Sequence, residues 1–119
     1  MGLKKLFKNL ATPVADLDAE RLRKFCSTHE GVTAIAELGP RVDGTVVGEI
    51  GSLRIVPRAG SPTLEATIND GSGSLVVMWT GRRKIAGVAP GKRLVVSGRG
   101  SPTGPKGRLM IVNPRYELL

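Results

Sequence analysis

The chain has 119 residues, with 18 Lys and Arg against 10 Asp and Glu, a net charge of +8. That length supports one domain with a modest core, and the single cysteine, Cys26, excludes a disulfide framework and cannot build a zinc site. No apolar run approaches the ~18 residues of a membrane span and no secretory h-region with a cleavage site is evident. The chain therefore reads as cytoplasmic, without stable membrane insertion.

At the N-terminus Leu3, Leu6, Phe7 and Leu10 fall at i, i+3, i+4 and i+7, one apolar helical stripe flanked by lysines. Such a helix packs on a neighbouring barrel or covers its open end; an anionic membrane surface or a row of phosphates is the alternative. Thr12-Pro13 breaks it. Asp16 or Asp18 then caps a second helix running through Cys26, with Leu22, Phe25 and Cys26 as its buried face. Cys26 is read as a small buried apolar residue. His29, without metal partners, is read as structural or exposed. Gly39-Pro40 closes this region, so residues 1–40 form an N-terminal helical extension packing on the domain that follows, residues 41–119.

The second region reads as β structure. Arg41 to Val56 is long for one strand and contains Gly44, Gly48 and Gly51, which mark bends or bulges. Pro57 to Pro62 reads as a loop carrying Arg58. In Leu64 to Asn69 the apolar Leu64, Ala66 and Ile68 alternate with Glu65, Thr67 and Asn69. Asp70-Gly71-Ser72-Gly73 is turn chemistry. Ser74 to Thr80 is a third strand, and Arg82 to Ala86 is compressed to about one helical turn. Pro90-Gly91 precedes a fourth strand, Arg93 to Gly98. Gly100 to Gly107 is a second basic loop, and Arg108 to Val112 makes the fifth strand, ended by Asn113-Pro114.

Five short strands with a long bent first one define a mainly β fold, a five-stranded Greek-key barrel of OB type over about residues 41–113, preceded by one or two short helices. The run from Asp70-Gly71-Ser72-Gly73 through Pro90-Gly91-Lys92-Arg93-Leu94-Val95-Val96-Ser97-Gly98 resembles anticodon-binding-type OB domains. Pro114-Arg115-Tyr116-Glu117 is similar to the end of the wedge domain of RecG-type branched-DNA helicases. Trp79-Thr80-Gly81-Arg82-Arg83-Lys84-Ile85 and Asn113 to Leu118 resemble a small stand-alone actinobacterial group of OB-fold nucleic-acid-binding proteins. Those resemblances imply a binding domain. Neither a helicase motor nor a synthetase domain accompanies it.

Charge points the same way. Residues 1–40 carry 6 basic and 5 acidic groups, whereas residues 41–119 carry 12 and 5, the footprint of a polyanion binder. OB domains hold strands across strands two and three, between the loops after strands one and four. Arg54 and Arg58 on the first loop, Lys106 and Arg108 on the second, and Arg82, Arg83 and Lys84 past strand three are suited to phosphate contacts. Thr67 and Asn69, facing outward, can hydrogen-bond bases. Trp79 is a candidate stacking residue, although strict alternation puts it with Leu75 and Val77 on the core face and leaves Val76 and Met78 as an outer apolar patch.

No Ser/His/Asp set, P-loop or dinucleotide fingerprint is present, and no cofactor or metal is implied. The expected function is non-enzymatic binding of single-stranded or branched DNA or RNA, mainly through backbone phosphates and with little sequence specificity. The alternative is a protein-interaction module turning its basic face to an acidic protein partner.

Overall fold

The computed structural model describes residues 14–103 and 108–119. The helix expected over the first ten residues and the candidate Lys106 lie outside them. Helix α1 spans Val14–Ser27. It is already helical at Val14, so Asp16 and Asp18 sit within it and do not cap it. Leu22 and Cys26, four residues apart on one face, are buried, with Phe25 half-buried beside them. Burial pushes the Cys26 thiol up from its ordinary pKa, and neighbouring Asp70 adds to the effect. A 3-10 turn at Ile35–Glu37 follows.

The remaining elements are β1 (Asp43–Arg58), β2 (Ser61–Asn69), β3 (Ser74–Thr80), β4 (Arg93–Arg99), β5 (Ser101–Thr103), β6 (Arg108–Val112) and β7 (Arg115–Leu118). They form one seven-stranded sheet in the order β5-β6-β3-β2-β1-β4-β7, antiparallel except for β3 and β6. The sheet curls because β1 is shared. Its first half, Asp43 to Glu49, pairs with β4, and its second half pairs with β2. The register shifts between Ile50 and Ser52, with Gly51 the extra residue of a bulge. Across the seam, β4 and β6 approach without joining the ladder among the described residues. A Cβ on Gly98 would stand 2.5 Å from Ile111 Cγ2. The result is a curled half-barrel, not the closed five-stranded barrel expected.

Inside the curl lies one apolar cluster, including Val46, Ile50, Leu64, Ile68, Leu75, Val77, Trp79, Leu94, Val96 and Ile111. Ile85 and Val88 join it from the β3–β4 connection, which is irregular where one helical turn was expected. These two side chains pack into the core without a helix to carry them. Outside the curl, α1 lays Leu22, Phe25 and Cys26 over Val47 and Val95, which face each other across β1 and β4.

Three further expectations change. Residues 57–62 are not an open loop: β1 runs to Arg58 and turns through Ala59-Gly60 into β2. Both turn residues have positive φ, 50° and 79°, the backbone of a type I′ hairpin that suits the strand twist. Part of the second loop is strand β5, paired with β6. Beyond Pro114 the chain forms β7, whose alternating Arg115, Tyr116, Glu117 and Leu118 pair with β4.

Asp70 fastens these parts together. It is 1% exposed at the β2–β3 turn. Its Oδ1 accepts from the Ser72 N–H (2.8 Å), the Ser72 hydroxyl and the Gly73 N–H. Its Oδ2 accepts from the Ile35 N–H (2.9 Å) and from Arg23 Nη1 of α1 (2.7 Å). Burial alone would push this carboxyl up. The hydrogen bonds from Ser72 and Ile35 and the Arg23 charge outweigh it, and the pKa is lowered.

Candidate nucleic-acid interface

The outer face of β1, β2, β3 and β6 is set by register. Residues directly opposite on paired strands share a face, so Arg54 stands beside Glu65, Glu65 beside Met78, and Met78 beside Val112. Two pairings further along, Ser52, Thr67, Val76 and Met110 form a second row on the same face. The seven residues of β3 make this face about 20 Å long.

Its cations divide between the two ends. Gly81 N–H donates to the Pro62 carbonyl at 2.8 Å, which brings the exposed Arg82, Arg83 and Lys84 to the end that carries the β1–β2 hairpin and Arg58. Arg108 lies at the other end, because β6 runs parallel to β3 and starts level with Ser74. There Arg108 and Ser74 help to line a shallow cleft of about 290 Å³ bounded by Ala36 and Leu38 of the 3-10 region. The sheet thus offers a polar and apolar floor between basic ends, with Arg54 partway along.

Arg54 and Arg58 are not loose surface cations. Arg54 donates through Nε (3.1 Å) and Nη2 (3.0 Å) to Glu65 Oε1, and Arg58 Nη2 donates to Oε2 (3.1 Å). Glu65 is only 5% exposed although it faces outward, while the two arginine side chains remain 73% and 53% exposed. Burial alone would raise the Glu65 pKa. The hydrogen bonds and charges of Arg58 and Arg54 outweigh it and hold the carboxyl below its ordinary value. Glu65 was absent from the candidates chosen by sequence. Its outward phase was visible there, but its two partners depend on the register beyond the Gly51 bulge.

The other candidates separate clearly. Thr67 is half-buried in the middle of the face. Asn69 is exposed, but its amide is engaged in the β2–β3 turn: Oδ1 accepts the Gly71 N–H at 2.7 Å and Nδ2 donates to Ser74 Oγ. Trp79 is 5% exposed, packed in the core and edge-on to Tyr116 at 5.5 Å between ring centroids. It presents no ring face for stacking. Met78 is buried and Val76 half-buried, because β3 is an interior strand with side chains on both sides. The expected open apolar patch is therefore largely closed. Among the described residues no group of three or more His, Cys, Asp or Glu is placed to hold a metal ion, and no helix is long and apolar enough to cross a membrane.

No protein-family model and no curated protein matches the chain. Solved structures do. The chain is similar to RecG bound to a three-way DNA junction, at 21% identity and a TM-score of 0.60 over 74% of its length, and it spans 12% of the RecG chain. It is similar to an OBody bound to hen egg-white lysozyme, at 17% identity and a TM-score of 0.59 over 76% of this chain and 96% of the other. It is also similar to the second OB-fold domain of replication protein A from Methanococcus maripaludis, at 19% identity and a TM-score of 0.56 over 73% of this chain and 93% of that domain. At these identities the likeness is one of fold.

Proposed function

We propose that this chain is a non-enzymatic, cytoplasmic nucleic-acid-binding protein. It holds single-stranded or branched DNA or RNA against the outer face of β1, β2, β3 and β6, mainly through backbone phosphates. The observation that carries this reading is the spacing of cations along the face: Arg82, Arg83, Lys84 and Arg58 at one end, Arg54 partway, and Arg108 at the other. The half-buried Thr67 and Val76 between them form no constellation that would read a particular base. With Trp79 in the core, little stacking is available and affinity is mainly electrostatic. The RecG structure was bound to a three-way DNA junction, which places branched DNA among the probes.

Labelled single-stranded DNA, single-stranded RNA and a forked duplex would be titrated by anisotropy at low and near-physiological salt. The reading expects binding that weakens steeply with salt and drops when Arg82 and Arg83 become Ala. Each phosphate contact removed lowers the slope of log K against log salt by about 0.7 to 0.9. Absence of binding to all three probes at low salt would refute the reading and favour a protein partner, the kind of ligand the OBody was bound to.

A further inference from the structure

We infer that Glu65 is a positioning residue of this interface, bracing Arg54 and Arg58 into a fixed two-guanidinium clamp for adjacent phosphates of one strand. The inference rests on the nucleic-acid reading above. A buried carboxylate on the ligand-facing side of a cationic sheet is at first sight misplaced, since its charge repels phosphate. Its geometry indicates another use. Oε1 takes two donors from Arg54 and Oε2 takes one from Arg58. Three of the ten guanidinium N–H groups are thereby engaged, and the other seven remain available to a ligand. Arg54 and Arg58 lie four positions apart on β1, too far to be held together by the strand itself. They converge because Glu65, opposite Arg54 on β2, reaches both. Long exposed arginines would otherwise have to be immobilised on binding, and here that ordering is already done.

Charge and positioning predict opposite signs. If Glu65 only diluted the positive field, Glu65→Gln would raise the net charge and tighten binding. If it braces the arginines, the same substitution loosens both and weakens binding about 3- to 10-fold, the equivalent of one freed side chain. A second variant, Arg54→Lys with Arg58→Lys, keeps the charge but not the planar fork. It alters only exposed side chains, so an unchanged affinity in it overturns the brace even if the glutamate variant fails to fold.

Anisotropy with single-stranded DNA on the full chain, with melting curves to verify folding, reads all three proteins and their combination. The expected result is weaker binding for each variant and no further loss on combining them. Wild-type binding with E65Q equal or tighter, or with the double Lys variant unchanged, would overturn the brace and leave the nucleic-acid reading standing. No binding by the wild type would overturn both.

Discussion

Asp70→Asn tests what holds α1 and the 3-10 turn to the sheet. The substitution preserves size and leaves one oxygen to receive the Ser72 and Gly73 donors. It also sets an amide NH₂ where Oδ2 now accepts from Ile35 N and Arg23 Nη1 at 2.9 and 2.7 Å. The Ile35 N–H, buried with its residue, loses its acceptor, a cost of about 1–3 kcal/mol. Arg23 is 30% exposed, so its guanidinium can turn to water and its loss is about 0.5–1 kcal/mol. Together these give roughly 1.5–4 kcal/mol, which for a chain this size is a fall in Tm of about 6–15 °C. Thermal melts by circular dichroism at pH 7 measure it. The pH dependence gives a second check. The folded pKa lies below the unfolded value of about 3.9, so the carboxylate's stabilisation is complete above pH ~5 and is lost as pH falls through the folded pKa. The gap between wild type and variant should therefore narrow on acidification. A melt within about 3 °C of wild type at pH 7, or a gap that widens in acid, would refute Asp70 as the fastening point.

Three other expectations follow from particular residues. Gly71 has φ +87°, and a Cβ there would stand 2.5 Å from the Ala19 carbonyl of α1. Gly71→Ala should therefore cost more than about 2 kcal/mol in urea unfolding. Ala59 occupies a positive-φ position of the hairpin turn; Ala59→Asn should stabilise by about 0.5–1 kcal/mol, seen as a higher urea midpoint at unchanged m. Trp79, buried against Tyr116, should emit at the blue wavelengths of an apolar site and resist iodide quenching, with single-stranded DNA bound or absent. Emission typical of water, or quenching directly by iodide, would place the ring outside the core.

The parts of this fold legible in the sequence are those where alternation meets a hard break. Strands β3 and β6 appear with their expected limits, Ser74–Thr80 and Arg108–Val112, because Asp70 to Gly73 and Asn113-Pro114 bound them on the sides that matter. Period two also put Trp79 on the core side. Proline misled at the hairpin. Pro57 and Pro62 look like loop residues, yet they stand opposite one another in the β1–β2 register, and a two-residue turn suffices. Strand β7 was missed because four residues carry too little periodicity to stand out, and only pairing with β4 defines them. The basic residues were found by type and rough location. Their division between two ends of one face was not, because it follows from β6 lying parallel to β3.

The bulge at Gly51 joins the curvature of the sheet to the chemistry of its face. Before it, even-numbered residues of β1 point inward, as buried Val46 and Ile50 show. An unbroken strand would carry that phase onward and turn Arg54 and Arg58 toward the apolar core, where an unpaired guanidinium is prohibitive. One extra residue reverses the phase, and Arg54 then pairs beside Glu65 on the outer side. The same irregularity bends β1 where it leaves β4 and takes up β2. Curling the sheet and placing two braced arginines on its outer face are thus consequences of a single inserted glycine. A sequence pattern read with a fixed period of two cannot yield either one without the other.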